Sequence, residues 1–338
     1  MNASYAGRVA SRVQEYPVSP YARGCGGPWS IILAGGEGER VKPFVKRWLN
    51  RNRPKQYCNF VGTRSMLQHT LARADLLSVR ERQVTVIGRS HLDDAWHQFG
   101  DRSFETVLIQ PENRDTGAGV FLPLTYVRAH DPDAMVVVCP SDHFIYPEDT
   151  FVEAVAAAVK AAGELTDRLV LLGVAPDYAE PDYGWIIPGE EASRTSGRSI
   201  LEVQAFIEKP TSVVAEAAMR GGGLWNTHVF AVRAETLWEM GWHCFPEMMM
   251  LFNRIATDIG SSNGAVLLDE VYKLMPAENF SSGLLERVID RVAVVKLYGV
   301  LWSDWGKPER IAETIRRMDK SPAFPWACLD AEVQTQAS

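Results

Sequence analysis

The stretch from Trp29 to Lys55 constrains the chain most. It opens on Ile31-Ile32-Leu33-Ala34, an apolar, β-branched run with the length of a buried strand. It then breaks into Gly35-Gly36-Glu37-Gly38. Glycines let backbone N–H groups approach a ligand and reach φ > 0, and successive N–H groups in such a turn form an anion-binding concavity. Arg40, Lys42, Lys46, Arg47, Arg51, Arg53 and Lys55 follow, seven cations in sixteen residues of a chain whose net charge is −7. Polyphosphate is the guest that this pattern predicts. The plainer alternative is a strand and turn with a solvated basic surface.

Two common glycine loops do not fit. A P-loop needs Gly-x4-Gly-Lys followed by Ser or Thr, which no stretch supplies. A dinucleotide fingerprint needs a third Gly three places after the second, where Val41 follows Gly38. Pro54-Lys55-Gln56-Tyr57 stands where its acidic residue belongs. A dinucleotide-dependent dehydrogenase is therefore a weak reading.

The remaining composition narrows the class. At 338 residues, 46% hydrophobic and 23% charged, the chain suits one large or two modest globular domains. A pI near 5.6 argues against a general nucleic-acid binder. The basic cluster is local, which points to a small phosphorylated molecule. Cys25, Cys58, Cys139, Cys244 and Cys328 are scattered, odd in number and free of any C-x-x-C pair. That argues for a reducing compartment and against structural zinc. No apolar run approaches the roughly 18 residues of a membrane helix, and no signal core opens the chain. A cytoplasmic protein without membrane or nucleic-acid partners is expected, with a homo-oligomer left open.

Periodicity predicts an α/β architecture. Helices are expected over Ser65 to Leu77 (Ser65 a cap), from Asp93 to Gln98, from about Gly117 to Ala129 and over Phe151 to Leu165. Strands are expected at Gln83 to Gly88, Thr106 to Gln110, Ala134 to Cys139 and Leu169 to Val174. This alternation indicates a Rossmann-like, mostly parallel sheet flanked by helices. Its ligands should sit beyond the carboxyl ends of the strands, where Gly35, Gln110 and Ser141 fall. From Tyr183 the pattern becomes a smaller mixed part. Strands run over Tyr183 to Pro188, Ile200 to Glu208, Trp225 to Val232 and Ala293 to Leu297, with a helix at Val213 to Met219. Thr236 to Thr257 reads as mostly helical, and Pro308 opens a last helix. Residues 1–28 read as an N-terminal extension. Residues 29–322 read as one domain in two parts, 29–176 and 177–322. Residues 323–338 are a tail, and no β-helix repeat is evident.

Several constellations carry chemistry. Asp142, in Pro140-Ser141-Asp142-His143, follows the most strand-like run. A carboxylate there, facing a cationic loop, suits Mg²⁺, which takes oxygen ligands from one or two carboxylates plus phosphates; a turn cap is the bland alternative. Asp304, in Ser303-Asp304-Trp305-Gly306, has the same two readings. Gln110 and Glu112 can read a base edge, or belong to a polar turn in which Thr116 caps a helix. Glu208-Lys209-Pro210 reads by itself as a surface ion pair ahead of a proline, with a lysine that can serve as a flexible point charge.

Taken in order, these motifs resemble the sugar-1-phosphate nucleotidylyltransferases. LAGGEGERVKP…PKQY is similar to their signature, and PKQ followed by Ser65-Met66-Leu67-Gln68-His69-Thr70 resembles the mannose-1-phosphate guanylyltransferase branch. Asp142 and Asp304 lie in PxDH-like and WxDxG-like contexts, Glu208-Lys209 in F-x-E-K-P. The resemblance spans roughly Trp29 to Ile311 and implies a catalytic domain over 29–322, mainly nucleotide-binding over 29–176 and mainly sugar-binding over 177–322. It implies transfer of a nucleotidyl group from a nucleoside triphosphate, GTP first, to a sugar 1-phosphate, mannose 1-phosphate first, with Mg²⁺. The catalytic residues would be Arg40, Lys55, Asp142 and Asp304, the last two holding the metal. Leu33, Ala34, Gly35, Gly36, Gly38, Gln110, Glu112, Thr116 and Ser141 would bind the nucleotide. Tyr183, Gly184, Glu208, Lys209 and Asn226 would bind the sugar phosphate.

The sequence also departs from that pattern. Glu39 replaces a Thr, Asp115 an Asn and Gly117 an Ala. His228 stands where W-N-S-G has its glycine, and would either redraw the sugar pocket or face outward. Ten residues separate Pro43 from Pro54, and this basic insert would be a lid over the triphosphate or a site for a phosphorylated partner. The same chemistry on another hexose phosphate or base, or a regulator that binds a nucleotide sugar without turnover, are the alternatives.

Overall fold

The computed structural model describes residues 27–100, 102, 106–259 and 261–329. The expected extension through residue 26, Cys25 included, and the tail from residue 330 lie outside the described residues. In the first half, strands and helices alternate: β1 (Trp29–Ala34), α1 (Lys42–Leu49), α2 (Met66–Asp75), β2 (Gln83–Gly88), α3 (Leu92–Ala95), β3 (Val107–Gln110) and α4 (Asp115–His130). Then come β4 (Met135–Pro140), β5 (Phe144–Tyr146), α5 (Glu148–Glu164) and β6 (Leu169–Val174). The second half holds β7 (Trp185–Thr195), β8 (Arg198–Ile207), α6 (Ser212–Arg220), β9 (Leu224–Arg233), α7 (Ala234–Cys244) and α8 (Pro246–Ile255). It closes with α9 (Ser262–Leu274), β10 (Val292–Leu297), β11 (Leu301–Ser303) and α10 (Pro308–Arg317).

Both halves share one nine-stranded sheet of order β3-β2-β1-β4-β9-β6-β10-β8-β7. Only β9 and β8 run against the other seven, so the sheet is mostly parallel. Side chains on a strand alternate between faces, and β4 shows the result. Val136 and Val138 enter a core with Phe121, Leu237 and Phe252 on one face. Val137 and Cys139 enter a second core with Ala154, Ala158 and Trp185 on the other. The alanines of α5, fully buried at 154, 158 and 161, let that helix lie close to the sheet. At the start of α2, Ser65 accepts from the Gln68 N–H while the Gln68 side chain accepts from the Ser65 N–H, the reciprocal cap expected of this spacing.

A separate two-stranded ribbon sets the site. β5 pairs with β11 antiparallel, Phe144 opposite Ser303. This register brings the residues just before β5 beside those just after β11, so Asp142 and Asp304 converge although 162 positions apart in sequence. Neither short strand shows in the periodicity.

The mostly helical stretch expected over Thr236 to Thr257 is two helices, α7 and α8, because Phe245 leaves helical φ/ψ and Pro246 starts the next helix. Two expectations are corrected. Thr116 does not cap α4, which begins at Asp115 without a side-chain cap; its hydroxyl accepts instead from the Phe280 N–H at 2.8 Å. The basic insert is not a lid. It folds as α1, whose Phe44 and Val45 are buried against Phe60, Trp305, Ile311 and Phe324. Burying one such phenylalanine contributes roughly 1.5–3 kcal/mol, enough to hold the segment to the body of the protein. Cys58, Cys139, Cys244 and Cys328 are free thiols. Among the described residues, no helix is long and apolar enough to cross a membrane.

Candidate active site

The glycine loop leaves β1, an interior strand paired with β2 and β4. Its main chain is held by the motif that follows it. Gln56 donates to the carbonyls of Ala34 and Gly36 at 2.8 Å each, and the Tyr57 hydroxyl donates to Ala34 at 3.0 Å. Ser141, fully buried, donates its N–H and hydroxyl to the Leu33 carbonyl at 3.0 and 2.7 Å. Beside the loop lies a cleft of about 480 Å³, lined by Leu33, Gly35, Gly36, Gln110, Thr116 and Gly119 among others. A Cβ on Gly35 would stand 2.8 Å from Gln110 Oε1, so the missing side chain gives the Gln110 amide its place. Gln110 is buried and donates to the Tyr272 hydroxyl at 3.1 Å. Glu112 is elsewhere, exposed and paired with Arg114 at 2.7 Å. Gly38, at φ 61°, faces the main chain of Lys55.

Most of the cation cluster is already engaged. Lys42 meets Glu37 at 2.9 Å and Glu39 at 2.6 Å. Arg47 donates to the Cys328 carbonyl, and Arg51 and Arg53 share Asp94. Lys46 points to solvent from α1. Arg40 and Lys55 reach the corner where Asp142 and Asp304 meet.

That corner is a network of fixed charges. Lys55, buried, lies 3.0 Å from Asp142 Oδ2 and donates to the main-chain carbonyl of Asp304. Asp304 Oδ1 accepts from the Tyr183 hydroxyl (2.9 Å), Arg310 (2.8 Å) and the Gly306 N–H (2.8 Å). Burial pushes the Asp304 carboxyl up, but Lys55, Arg310 and the Gly306 N–H outweigh it and bring it to about 2. For Asp142 burial again raises and Lys55 lowers, with a net fall below the ordinary range. Arg310 is buried at the start of α10, also pairs with Glu180 (2.6 Å) and Asp182 (3.3 Å), and stacks over the Tyr183 ring. Asp182 collects Lys307 (2.5 Å) and, across the crevice, Arg40 (3.1 Å).

The donor set fits a hard divalent cation. Both carboxylates stay ionised at neutral pH. The three donors on Asp304 leave Oδ2, which faces only Arg40 at 3.5 Å. Among the described residues, the ion-pair partner of Asp142 Oδ1 is His143 at 3.7 Å. One oxygen on each carboxylate therefore remains for a ligand, the number Mg²⁺ usually takes from protein beside phosphates. Among the described residues, no cluster of three or more His, Cys, Asp and Glu is built to hold a metal by itself.

A third wall completes the crevice. The Asn226 N–H donates to the Gly184 carbonyl at 2.8 Å, and a Cβ on Gly184 would stand 2.8 Å from Glu208 Oε2. Burial pushes the Glu208 carboxyl up, against the pull of Lys209 at 3.7 Å. Lys209 is exposed and has φ 44°. His228 is not outward-facing. Its ring lies edge-on to Phe280 and Phe230 at 5.7 and 6.4 Å.

Residues 29–321 match the model of the nucleotidyl transferase family. The chain belongs to that family. It is 28% identical over 284 residues to the mannose-1-phosphate guanylyltransferase of Escherichia coli K12, covering 82% of this chain and 58% of that protein. Mannose-1-phosphate guanylyltransferase RfbM of Salmonella typhimurium is 26% identical, over 90% of this chain and 64% of its own length. The chain thus spans about three fifths of the length of these curated relatives. A solved structure titled mannose-1-phosphate geranyltransferase, from Thermus thermophilus, superposes with a TM-score of 0.70 at 28% identity, covering 84% of this chain and 78% of that one. A UDP-glucose pyrophosphorylase from Acinetobacter baumanii, at 14% identity and TM-score 0.51, shares the fold.

Sequence reasoning missed part of what holds this nucleotidyl transferase site together. Gln56 and Tyr57 adjoin Lys55 and were visible only as part of the signature. Arg310 gave a usable signal, an arginine two positions after a helix-opening proline and six after Asp304. Glu180, Asp182 and Tyr272 gave none.

Proposed function

We propose that this nucleotidyl transferase moves a nucleotidyl group from a nucleoside triphosphate, GTP first, to a sugar 1-phosphate, mannose 1-phosphate first, releasing pyrophosphate. The observation that carries the reading is the corner where Lys55 ties Asp142 to Asp304, both ionised, beside the glycine loop. The mannose-1-phosphate guanylyltransferases among the relatives support this choice of substrates.

A phosphate oxygen of the sugar 1-phosphate attacks the α-phosphorus in line. The new P–O bond forms as the bond to the β-phosphate oxygen breaks, and pyrophosphate leaves with that electron pair. The attacking oxygen is anionic near neutral pH, so positioning and charge stabilisation supply the rate rather than a general base. Gly35, Gly36 and Gly38 cradle the phosphates, and Arg40 and Lys55 offset charge on the phosphorus and leaving group. Lys209 approaches the sugar phosphate, with Glu208 and Asn226 on sugar hydroxyls. Asp142 and Asp304 would hold Mg²⁺, which polarises phosphoryl oxygens and neutralises their charge.

Pyrophosphate release with Mg²⁺, across the four nucleoside triphosphates and mannose and glucose 1-phosphates, tests the reading. Release with GTP and mannose 1-phosphate is expected. Release with a different pair would retain the chemistry and change the substrates. No release from a folded protein that still binds a nucleotide sugar would make it a binding module instead.

A further inference from the structure

The transfer chemistry leaves one residue of the crevice unused. Between the pairs Leu171–Phe230 and Gly173–Asn226, β9 carries two more residues than β6. Bulges beside active sites re-aim side chains. At the centre of this one, His228 holds φ 56°, a left-handed conformation that costs a residue with a side chain about 1–2 kcal/mol. The glycine expected there meets a backbone requirement, and here an imidazole meets it under strain.

The strain places the ring between two walls. The His228 N–H donates to Asn226 Oδ1 at 3.0 Å, which leaves the Asn226 NH₂ for a ligand. Phe280, against the ring, is bonded through its N–H to Thr116 of the base cleft at 2.8 Å. His228 Nε2 is buried without a partner among the described residues, a state that costs about 1–3 kcal/mol for a polar group. Burial, with His143 adding to it, keeps the imidazole neutral at physiological pH, so it offers one donor and one acceptor. The residue retains partial exposure. A half-turn about χ2 exchanges Nε2 with Cε1 and needs no main-chain movement.

We propose that His228 is a specificity-determining residue, making a hydrogen bond from its imidazole to a hydroxyl of a bound sugar. The inference rests on the nucleotidyl-transfer reading. The hydroxyl belongs to the hexose 1-phosphate or to the ribose of the nucleotide, and the experiment separates the two. His228→Gly relieves the positive φ, and His228→Asn keeps a hydrogen-bonding group that tolerates it, so both variants fold. Steady-state kinetics with GTP and mannose 1-phosphate should show one KM raised roughly five- to tenfold in His228→Gly, with the loss in KM rather than kcat. His228→Asn should be intermediate. The deoxy analogue lacking the contacted hydroxyl, a deoxymannose 1-phosphate or 2′-deoxy-GTP, should then be used alike by wild type and His228→Gly. Unchanged KM values with a raised melting temperature would make His228 a strained bystander and overturn the proposal. If wild type turns over no pair, the transfer reading fails by itself. Calorimetry with GDP-mannose and GDP on both proteins then decides the point, and equal affinities would overturn it.

Discussion

The two ends of the crevice are built by opposite means. At the carboxylate corner the positions are set by charge and its hydrogen bonds: Lys55, Arg310 and the Tyr183 hydroxyl fix two ionised carboxylates, and Glu180 and Asp182 fix Arg310 in turn. At the base cleft the decisive positions are empty of side chains. Gly35 leaves room for the Gln110 amide, and Gly36 has nothing within 4 Å of where its Cβ would stand. One end is set by electrostatics that only a few residue types can supply, the other by shape. Damage at the corner should therefore appear in turnover, and damage at the cleft in nucleotide binding.

Asp304→Asn probes that contrast hardest. It removes the charge while keeping the volume, and turnover should fall roughly a thousandfold, measured as pyrophosphate release with circular dichroism to verify folding. Turnover within tenfold of wild type would remove Asp304 from the chemistry. Gly35→Ala is the matching change at the other end. Its methyl displaces the Gln110 amide, so the KM for the nucleoside triphosphate should rise about tenfold, as for the loss of one buried polar contact. The KM for the sugar phosphate should stay put. An equal rise in both would mean that the two ends are one unit.

The smallest effect is on stability against pH. The folded Asp304 carboxyl lies near 2, below its ordinary 3.8. The unfolded chain therefore binds the proton first, and the stability this group contributes, complete above about 4, is lost as pH falls toward 2. Asp142 acts in the same direction. His228, held near 4 against an ordinary 6.5, adds an earlier loss as pH falls from 6.5 to 4. Urea unfolding across this range should show both slopes in wild type. Asp304→Asn should flatten the lower slope, His228→Gly the upper, and Gly35→Ala neither.

How much was legible follows the same division. The parallel half of the sheet could be read because buried strands announce themselves as apolar runs between glycines and helices, as at Ala134 to Cys139. The positions of Asp142, Asp304, Lys55 and the glycines could be singled out because each stands inside a recognisable motif, Gly35 and Asp142 just past the ends of apolar strands. The basic insert misled because charge in a sequence does not state its partners: Asp94 absorbs Arg51 and Arg53, and the Cys328 carbonyl takes Arg47. The ribbon of β5 and β11 was invisible because three-residue strands carry no period. Glu112 reads as a base contact until the fold turns it toward Arg114.

Asp182 gives the corner a further property. It holds Arg40, Lys307 and Arg310 together, so a triphosphate reaching the glycine loop meets a guanidinium that already has a counter-ion. Its entry is an ion exchange rather than a fresh neutralisation. In the proposed reaction Arg40 would swap one anion for another while Asp182 retains two cations. Dissolved salt screens the pair that breaks as well as the pair that forms, and so nucleotide affinity at this site should vary less with ionic strength than its basic sequence suggests.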